Sequence, residues 1–522
     1  SDLRVKNPLP FITGTICAHN CMSKCTRNFY ETPVHIREMK LKAAENGYEA
    51  LLEKLPVPAV TKAGKAAVIG GGPAGMAAAY FLRKGGMEVT LFEAKESLGG
   101  VVRHVIPPFR ISEDAIEKDA EILRKMQVDI HCNTKLESLE ELKKQGYTKI
   151  VLAVGAPVQG SLKLESGMPK NALEFLAEFK QTDGKVSLGK HVVVIGGGNT
   201  AMDTARAAKR NAGVEHVYLI YRRTRRYMPA DEEELVMALE DGVEFKELLS
   251  PVKLENGQLF CKVMQLSDYD VSGRRGVTET GETVWVPADT VIAAVGEKVP
   301  TDWYQANGLA VSEKGRLYVD EKTLKTSDDN VYAAGDGLYG PATVVEAIRD
   351  GRKVAEAIAG EVLACDFDKL AEEEKVYAKR GVLKEEQKET KEAGRCLGCS
   401  TICENCVEVC PNRANIAIQV PGMEKHQIIH VDYLCNECGN CKSFCPYSSA
   451  PYLDKFTLFE TEADMENSKN QGFAVLDQET RRCKVRFFGK TFIWEPEKPA
   501  ALPDGLGRMI ETVCRDYSYL IR

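Results

Sequence analysis

The chain contains 522 residues, of which 44% are hydrophobic and 28% are charged, a composition typical of globular proteins and a length too great for one core. Its formal net charge of −7 provides no positive field for nucleic acid, and no apolar run approaches the roughly 20 residues that cross a bilayer. The sequence starts at Ser1 rather than Met and shows no secretory leader pattern. We therefore expect a cytoplasmic protein without nucleic-acid or membrane partners.

The first 60 residues carry three of the 17 cysteines, Cys17, Cys21 and Cys25, in the spacing C-x3-C-x3-C. Two further groups occupy residues 396–410 and 435–445. Short, regular spacing in a chain without a secretory leader indicates metal ligands rather than disulfides. We therefore expect a helical N-terminal segment, residues 1–60, that holds metal ligands.

A first glycine loop follows the apolar strand pattern at 66–69. Gly70 permits a tight turn, Gly72 lets the backbone approach a pyrophosphate, and Gly75 lets the following helix pack closely. The next strand ends at Glu93, placed to accept hydrogen bonds from an adenosine ribose. Strand, loop, helix and acid in this order predict a dinucleotide site. The predicted contacts are Gly70, Gly72, Pro73, Ala74, Gly75 and Glu93.

The same construction repeats from Lys190, with Gly196-x-Gly198-x-x-Ala201 as its loop. Its second strand, residues 217–221, ends in a run of arginines instead of an acid. A guanidinium binds a 2′-phosphate with two hydrogen bonds, whereas a carboxylate repels it, so we predict NADPH rather than NADH. A solvated basic loop is the alternative explanation of these arginines. The predicted contacts are Gly196, Gly198, Asn199, Thr200, Arg222 and Arg223.

Two dinucleotide sites in one chain imply one bound flavin and one exchanging nicotinamide nucleotide. The sequence here resembles the flavoprotein disulfide-reductase architecture, in which an NADPH domain is inserted into an FAD domain. The resemblance is carried by "VLAVGA" at 151–156, "VIAAVG" at 291–296 and "NVYAAGDG" at 330–337. It implies cofactor contacts at Gly155 and Gly296.

The same resemblance implies that Asp336 binds the FAD ribitol. It also implies that a helix beginning near Thr343 and Val344 brings its N-terminus to the flavin ring. That helix end would stabilise negative charge on a reduced flavin.

Three longer segments, "GGVVRHVIPPFRIS" at 99–112, "GGGNTAMD" at 196–203 and "YRRTRRYMPADEEE" at 221–234, resemble the glutamate synthase small-subunit family. That family includes the N-terminal half of dihydropyrimidine dehydrogenase. The resemblance implies cofactor contacts at Gly100 and Arg110. It also assigns Cys17, Cys21 and Cys25 to as many as two N-terminal [4Fe–4S] clusters, which residues outside this chain segment would have to complete.

The remaining cysteine runs are the most specific pattern in the sequence. The run at 435–446 reads C-x2-C-x2-C-x3-C-P, and a similar run ends at Pro411. This is the pattern of two-cluster bacterial ferredoxins, in which the fourth cysteine of each run binds the other cluster. The predicted ligand sets are Cys399, Cys403, Cys406 and Cys445 for one [4Fe–4S] cluster, and Cys435, Cys438, Cys441 and Cys410 for the other.

Two alternatives remain open for these runs. Cys396 lies three residues before Cys399 and is the other candidate for that ligand position. Zinc also binds paired C-x2-C motifs, although a zinc site does not need the two C-P endings.

The function follows from how each cofactor handles electrons. NADPH delivers two electrons as hydride, iron–sulfur clusters carry one each, and a flavin converts between the two. We expect an NADPH-oxidising electron-transfer subunit that forms a hetero-oligomer with another redox subunit. With "PYLDKFTLF" at 451–459, the chain resembles the family of proposed selenate reductase subunits, which implies a molybdenum-dependent acceptor. The alternatives are a glutamate synthase small subunit and an electron-bifurcating ferredoxin:NADP oxidoreductase module.

The expected fold class is α/β, with two nested Rossmann-like dinucleotide-binding domains and a small α+β ferredoxin-like domain for two [4Fe–4S] clusters. The predicted domains are the N-terminal segment 1–60, the FAD domain in two parts 61–189 and 299–364, the NADPH domain 190–298, a helical linker 365–395, the ferredoxin-like domain 396–450, and a C-terminal tail 451–522 with a strand pair and a helix.

Overall fold

A computed structural model of the chain describes residues 7–23, 25, 32–269, 275–360, 404–423, 426–445, 449–496 and 502–522. The chain divides into two compact units, the first formed by Ser1–Ala18 and Arg37–Asp366 and the second by His19–Ile36 and Phe367–Arg522. The predicted linker at 365–395 and the cysteines at 396, 399 and 403 lie outside the described residues.

The elements between residues 7 and 360 are a mixture of helices and strands, with one antiparallel insertion. In chain order they are α1 (Pro10–Ile16), α2 (Asn20–Ser23), α3 (Ile36–Lys54), β1 (Lys65–Ile69), α4 (Pro73–Lys84), β2 (Glu88–Phe92), α5 (Val101–His104), α6 (Glu113–Lys125), β3 (Asp129–His131), α7 (Leu139–Lys144), β4 (Tyr147–Leu152), β5 (Val158–Gln159), β6 (Lys170–Asn171), α8 (Ala172–Gln181), β7 (His191–Ile195), α9 (Asn199–Arg210), β8 (His216–Tyr221), α10 (Glu232–Glu240), β9 (Glu244–Glu247), β10 (Leu249–Glu255), β11 (Gln258–Tyr269), β12 (Arg275–Pro287), β13 (Thr290–Ala293), β14 (Glu297–Lys298), α11 (Thr301–Ala306), β15 (Val331–Ala333), α12 (Asp336–Tyr339) and α13 (Val344–Ala359).

The elements after residue 404 belong to the second unit. They are α14 (Asn405–Glu408), β16 (Asn415–Ile418), β17 (Gln427–Val431), α15 (Asn440–Ser443), α16 (Pro451–Asp454), β18 (Thr457–Phe459), α17 (Glu462–Asn467), β19 (Gly472–Asp477), β20 (Arg482–Phe487), β21 (Lys490–Trp494) and α18 (Asp504–Asp516). Short 3₁₀ turns lie at Arg225–Tyr227, Asp432–Leu434 and Ser518–Leu520.

The first unit is built on two parallel five-stranded sheets. The first sheet has the order β15-β4-β1-β2-β3, and the second has the order β6-β13-β7-β8-β9. Four residues in a row are buried in β1, β2 and β7, as expected for parallel strands covered on both faces. Every strand of the second sheet lies along the chain between β4 and β15 of the first, which confirms the predicted nesting of one domain in the other.

Two antiparallel pieces complete the first unit. The strands β10, β11 and β12 form a three-stranded meander that the sequence analysis did not predict. The two chain segments that pass between the parallel sheets pair through β5 and β14, with Gln159 opposite Glu297 and Val158 opposite Lys298. A short two-stranded ribbon therefore links the two nucleotide-binding halves.

The N-terminal helix α1 is anchored by a buried acid. Asp119 of α6 is fully buried, and its carboxylate accepts the N–H groups of Phe11 at 3.4 Å and Ile12 at 2.9 Å. These N–H groups lie in the first turn of α1, where a helix has no internal acceptor for them. The ring of Phe11 packs edge-on against Tyr48 of α3, which holds the N-terminal segment on the first core.

The second unit is organised around one six-stranded sheet of order β16-β17-β18-β19-β20-β21. The pairs β17–β18 and β18–β19 are parallel and the others are antiparallel. Gly489 turns the chain between β20 and β21, and α18 places Ile510 and Val513 in the core of this unit. The sheet joins residues on both sides of position 450, so the predicted ferredoxin-like segment and the tail share one core.

Within the part of the chain that the structure describes, no helix has both the length and the apolar character required to cross a bilayer.

Candidate nucleotide and cysteine sites

The first glycine loop joins β1 to α4 and is set by close backbone approaches. Gly70 has a φ of +105°, and its N–H donates to the carbonyl oxygen of Phe92 at 2.8 Å. A Cβ at Gly75 would overlap the carbonyl oxygen of Gly70. At Gly72, in contrast, the nearest atom to an added Cβ is the Cα of Gly100, 3.8 Å away. The loop is tightly packed on its protein side and has room at Gly72, where a pyrophosphate would approach.

Glu93 is held against this loop by backbone donors. Its side chain is buried, and the two carboxylate oxygens accept the N–H of Gly71 at 2.6 Å and the N–H of Lys95 at 2.8 Å. A carboxylate offers about four acceptor positions, so two of them remain for ribose hydroxyls. The structure therefore brings Glu93 to the loop, as the spacing predicted.

Gly100 has a φ of +53° and lies against the loop from the other side. An added Cβ at Gly100 would come within 2.8 Å of the Cα of Gly72. The N–H of the preceding Gly99 donates to the carbonyl oxygen of Gly71 at 2.8 Å. The segment that starts at residue 99 is thus fastened to the first nucleotide loop.

Asp336 begins α12, directly after the last strand of the first sheet. Burial raises the pKa of its carboxyl to about 6, and the negative charges of Glu297, Glu346 and Asp350 add to this effect. The N–H of Ala342 donates to Asp336 Oδ1 at 3.1 Å. Without further hydrogen-bond donors, this site therefore disfavours the charged form of the Asp336 carboxyl.

The helix α13 starts next to Asp336 with a reciprocal cap. Thr343 Oγ1 accepts the N–H of Glu346 at 3.3 Å, and the Glu346 carboxylate accepts the N–H of Thr343 at 3.0 Å. The predicted helix start at Thr343 and Val344 is therefore present in the structure.

Two glycines that the sequence analysis did not single out hold α13 against α4. A Cβ at Gly351 would lie 2.7 Å from the carbonyl oxygen of Ala74 and 2.8 Å from the nitrogen of Ala78. Gly335 has a φ of +73°, and its N–H donates to Asp350 Oδ2 at 3.3 Å. Gly335 lies inside the quoted motif at 330–337, which was the available signal for it, whereas the quoted motifs do not include Gly351.

The second glycine loop, between β7 and α9, repeats the design of the first. A Cβ at Gly196 would lie 2.5 Å from the carbonyl oxygen of Ala294, whereas no heavy atom lies within 4 Å of a Cβ at Gly198. Asn199 Oδ1 accepts the N–H of Asp231 at 2.9 Å, which fixes the start of α9. Space for a nucleotide backbone is therefore present at Gly198.

Thr200 faces an acid that the sequence analysis missed. Its hydroxyl lies 3.5 Å from Glu297 Oε1, and burial raises the pKa of the Glu297 carboxyl. Gly155 and Gly296, with φ values of +68° and +101°, lie in the segments that flank the β5–β14 ribbon. Gly155, Gly296 and Thr200 therefore lie in or next to the segments that join the two domains.

The arginines after β8 have different environments. Arg222 is exposed, whereas Arg223 is 9% exposed and donates its Nε–H to the carbonyl oxygen of Arg275 at 2.7 Å. Arg225 forms an ion pair with Glu232. The structure thus leaves Arg222 available and ties Arg223 to the meander, so phosphate binding by Arg223 remains a prediction. An open cavity beside them is lined by Arg225, Arg226, Met228, Ala230, Glu232 and Leu235.

Arg110 points to the second nucleotide domain. Its Nη1 forms ion pairs with Asp203 of α9 and, at 2.6 Å, with Glu234 of α10. Burial raises the pKa of both carboxyls, and the Arg110 cation counteracts that rise. The cofactor contact of Arg110 stays a prediction, and the structure gives its guanidinium these two carboxylates as partners.

The second unit contains a cavity formed by cysteines from both ferredoxin-like runs. Cys410, the last cysteine of the first run, lines it together with Cys435, Cys438 and Cys441 of the second run. The cavity is small, with a volume of about 10 Å³. Burial raises the pKa of Cys435, and the neighbouring Cys410 and Cys441 also raise it. These four are the set that the crossed ferredoxin pattern predicts for one cluster.

Two polar side chains of this cavity were not predicted. The ring of His430 is buried, and its Nδ1 lies 3.0 Å from Asn415 Oδ1. Asn415 Nδ2 donates to the carbonyl oxygen of Cys406 at 3.0 Å. Burial lowers the pKa of His430 to about 4, so a neutral imidazole faces the cysteine set. Their sequence positions carry no motif, and only the fold brings them here.

The structure describes only some members of the other predicted ligand sets. Cys406 is buried and Cys445 is partly exposed, while their predicted partners at 399 and 403 lie outside the described residues. Cys17 belongs to the first unit, with its sulfur 3.8 Å from Lys40 Nζ, whereas Cys21 and Cys25 belong to the second. Among described side chains, no group of three or more His, Cys, Asp or Glu is already arranged to hold a metal ion, so the four cysteines share one cavity without a preformed ligand geometry.

Comparisons with known proteins agree with the two glycine loops. Residues 64–351 match the model of the pyridine nucleotide-disulphide oxidoreductase family. The chain is 40% identical over 502 residues to the oxidoreductase YgfK of Escherichia coli (strain K12), which covers 92% of this chain and 48% of that protein. It is 32% identical over 393 residues to NADP(+)-dependent formate dehydrogenase subunit beta of Moorella thermoacetica. That match covers 68% of this chain and 55% of that protein.

The glutamate synthase [NADPH] small chain of Escherichia coli (strain K12) is 33% identical over 386 residues, covering 67% of this chain and 80% of that protein. This confirms the resemblance to that family. The chain spans about half the length of the first curated relatives it matches. The family supports FAD and NADPH as cofactors and an NAD(P)H-dependent oxidoreductase as the activity class. The chain belongs to the pyridine nucleotide-disulphide oxidoreductase family.

Proposed function

We propose that the chain takes hydride from NADPH and passes electrons through FAD and [4Fe–4S] clusters to a separate redox subunit. FAD, when bound, accepts an electron pair and releases single electrons, which iron–sulfur clusters carry onward. The location we propose is the cytoplasm, and the assembly we propose is a hetero-oligomer.

The residues around the first loop fit a flavin dinucleotide. The room at Gly72 and the N-terminus of α4 suit a pyrophosphate, and the Glu93 carboxylate, already oriented by two N–H donors, suits the adenosine ribose. Asp336 is half-buried and accepts the N–H of Ala342, so hydroxyl groups of a ribitol would be further donors to its carboxylate. Gly100, Gly155, Thr343 and Val344 are the further contacts in this proposal.

The residues around the second loop fit NADPH. Gly198 has room for the pyrophosphate and Asn199 starts α9, whose N–H groups would face it. The exposed Arg222 provides the cation for a 2′-phosphate. Thr200, whose hydroxyl lies 3.5 Å from Glu297 Oε1, and Gly296 are the further contacts in this proposal.

The observation that carries the proposal is the cysteine cavity of the second unit. Cys410 is separated from Cys435 by 24 intervening residues, yet both line one cavity with Cys438 and Cys441. Soft thiolates in the crossed arrangement are the donor set of a two-cluster ferredoxin domain. A flavin-containing unit without such a domain would have no need for this set. Cys399, Cys403, Cys406 and Cys445 would hold the second cluster of this domain.

The acceptor is proposed from the relatives. The formate dehydrogenase relative is named as a subunit, and the chain covers about half of its first curated relatives. A partner redox subunit, of molybdenum-dependent type in our proposal, would receive the electrons. The N-terminal Cys17, Cys21 and Cys25 would contribute to further clusters only together with ligands from outside this chain segment.

The test is the substitution Cys438→Ser in anaerobically purified protein. We expect iron to fall by about four atoms per chain, the content of one cubane, because a serine cannot replace the thiolate. Reduction of the flavin by NADPH should continue, while electron transfer to a one-electron acceptor should slow.

The matched control is Cys132→Ser, since Cys132 is a partly buried cysteine of the first unit, outside every predicted ligand set. Its iron content should equal that of the wild type. Equal iron content in Cys438→Ser and the wild type would refute the ligand assignment.

A further inference from the structure

The connection between the two nucleotide domains of the first unit is a narrow hinge. The β5–β14 ribbon contains two residue pairs, extended by the Gly160 N–H, which donates to the Gly296 carbonyl oxygen at 2.8 Å. Gly155 and Gly296 both have positive φ values, and no atom lies within 4 Å of a Cβ built on either. Glycines in such open surroundings permit large changes of φ and ψ. The ribbon alone therefore does not fix the orientation of the second domain.

A second connection runs through residues 99–112, which we call the strap. Its first end belongs to the FAD-type domain, where the Gly99 N–H donates to Gly71 and the Cα of Gly100 lies against Gly72. Val102 and Ile111 are buried in the core of that domain. The strap therefore moves with the first nucleotide loop.

The middle of the strap belongs to the other domain. Val105 and Phe109 pack on the core of the second sheet, and Lys180 of α8 donates to the carbonyl oxygen of Arg103 at 2.5 Å. The Phe109 ring lies 4.3 Å from the guanidinium of Arg210, in cation–π geometry. The strap thus crosses from one nucleotide domain to the other without passing through the hinge.

Arg110 adds ion pairs between largely buried side chains to this crossing. Its side chain is 13% exposed, and its partners Asp203 and Glu234 are 9% and 6% exposed. Asp203 lies one turn into α9, the helix whose N-terminus forms the second nucleotide loop. Arg206 Nη1 lies 3.8 Å from Glu234, but removal of Arg110 leaves the buried Asp203 without its ion-pair partner, which is costlier than the loss of a surface ion pair.

We propose that the strap holds the second nucleotide domain in the orientation required for hydride transfer, with Arg110 as its positioning residue. This inference rests on the proposed NADPH-to-FAD function. Arg110 acts through Asp203 and α9, so its removal should leave the nucleotide-binding residues in place and disturb the approach of one ring to the other.

The test uses the full-length, FAD-loaded chain with Arg110→Ala, Arg110→Lys and the control Lys143→Ala. Lys143 also bridges two carboxylates, Glu140 and Asp328, each at 2.9 Å, but all three lie in the FAD-type domain. Three quantities are measured: the Kd for NADP+, the rate of flavin bleaching at saturating NADPH, and the long-wavelength absorbance that appears when NADP+ stacks on the reduced flavin.

For Arg110→Ala we expect bleaching to slow at least tenfold and the long-wavelength absorbance to weaken, while the Kd for NADP+ changes less than threefold. Arg110→Lys, which keeps the cation but loses the planar fork, should recover part of both signals. Lys143→Ala should behave as the wild type.

Wild-type rate and absorbance in Arg110→Ala would overturn the positioning role. If Arg110→Ala does not fold, Arg110→Lys decides, and wild-type values for it overturn the proposal. Failure of the wild type to bleach with NADPH would refute the proposed function instead, so the two failures are distinguishable. Amide exchange of residues 101–112, slow in the wild type and fast in Arg110→Ala, provides a readout independent of turnover.

Discussion

Asp336 shows how the fold prepares a single side chain for a ligand. Burial raises its pKa to about 6, and Glu297, Glu346 and Asp350 add negative charge nearby. A carboxyl whose folded-state pKa is raised takes up protons on folding, so the free energy of unfolding falls as pH rises from about 4 to about 6. Hydroxyl donors of a bound ribitol would favour the charged form and offset this loss.

Substituting Asp336→Asn in the flavin-free chain should therefore raise the unfolding free energy clearly more at pH 7.5 than at pH 4.5, where only part of the loss has occurred. The gain at pH 7.5 is at most about 3 kcal/mol, the equivalent of a rise of about two pKa units. Denaturant titrations at the two pH values measure it. The same variant should bind FAD more weakly, because it loses a charged acceptor.

The control is Asp329→Asn, an exposed aspartate whose pKa is lowered by a hydrogen bond from Lys325. It should show no gain at pH 7.5. An Asp336→Asn variant that is equally stable relative to wild type at both pH values would contradict the account of this site.

Arg222 and Arg223 are sequence neighbours with opposite surroundings. Arg222 is exposed, and Arg223 is buried with its Nε–H on the carbonyl oxygen of Arg275. The sequence places both in the same basic run and does not distinguish them, because the meander strand that pairs with Arg223 lies 52 residues away.

We expect Arg222→Ala to raise the KM for NADPH about tenfold or more, since a charged hydrogen bond to phosphate contributes about 1.5–3 kcal/mol. The KM for NADH should change little. Arg223→Ala should instead lower stability by about 1–3 kcal/mol and affect both nucleotides alike. Steady-state kinetics with each nucleotide and a thermal unfolding curve separate the two. If Arg223→Ala raised the KM for NADPH specifically and by more than Arg222→Ala did, the 2′-phosphate contact would belong to Arg223 instead of Arg222.

At the scale of secondary-structure elements, the two strand–loop–helix units use glycine for two different purposes. Gly75 and Gly196 permit close packing, since a Cβ at either would meet a backbone carbonyl oxygen. Gly72 and Gly198 have extended backbone conformations that any residue adopts and no such obstruction. The second pair is therefore needed only if a ligand approaches the backbone there.

This distinction predicts different defects for two alanine substitutions in the same loop. Gly72→Ala should fold with wild-type stability and lose FAD, because its methyl group occupies the space proposed for the pyrophosphate. Gly75→Ala should unfold at lower temperature, because the overlap with Gly70 forces the loop open. Flavin content and Tm of the purified variants measure both. Full flavin occupancy in Gly72→Ala would contradict the proposed position of the FAD pyrophosphate at Gly72.

The sequence predicted those features whose causes are local. Loop glycines, the acid at Glu93 and the start of α13 follow from residues close together along the chain, and the structure contains all three. The antiparallel meander and the partners of Arg110 depend on pairings across tens of residues, for which periodicity gives no information. The placement of His430 and Asn415 at the cysteine cavity also depends on pairings between distant residues, so the sequence did not predict it.

At the scale of the whole molecule, the first unit carries two nucleotide-type sites and the second carries the cysteine cavity. The six-stranded sheet of the second unit includes strands from both sides of position 450, so its C-terminal strands support the cysteine-bearing segment rather than form a separate tail. The proposed function needs both units, because hydride arrives in pairs and leaves as single electrons.

The most direct test of this account follows anaerobic, as-isolated protein after rapid mixing with one equivalent of NADPH. Flavin absorbance and the paramagnetic signal of reduced [4Fe–4S] clusters are recorded over time, in the wild type and in Cys438→Ser. The account predicts that the flavin bleaches first and that cluster signals then grow as its absorbance partly recovers, with a smaller cluster signal in Cys438→Ser. Flavin bleaching with no cluster signal in the wild type, or purified protein with no iron, would contradict it.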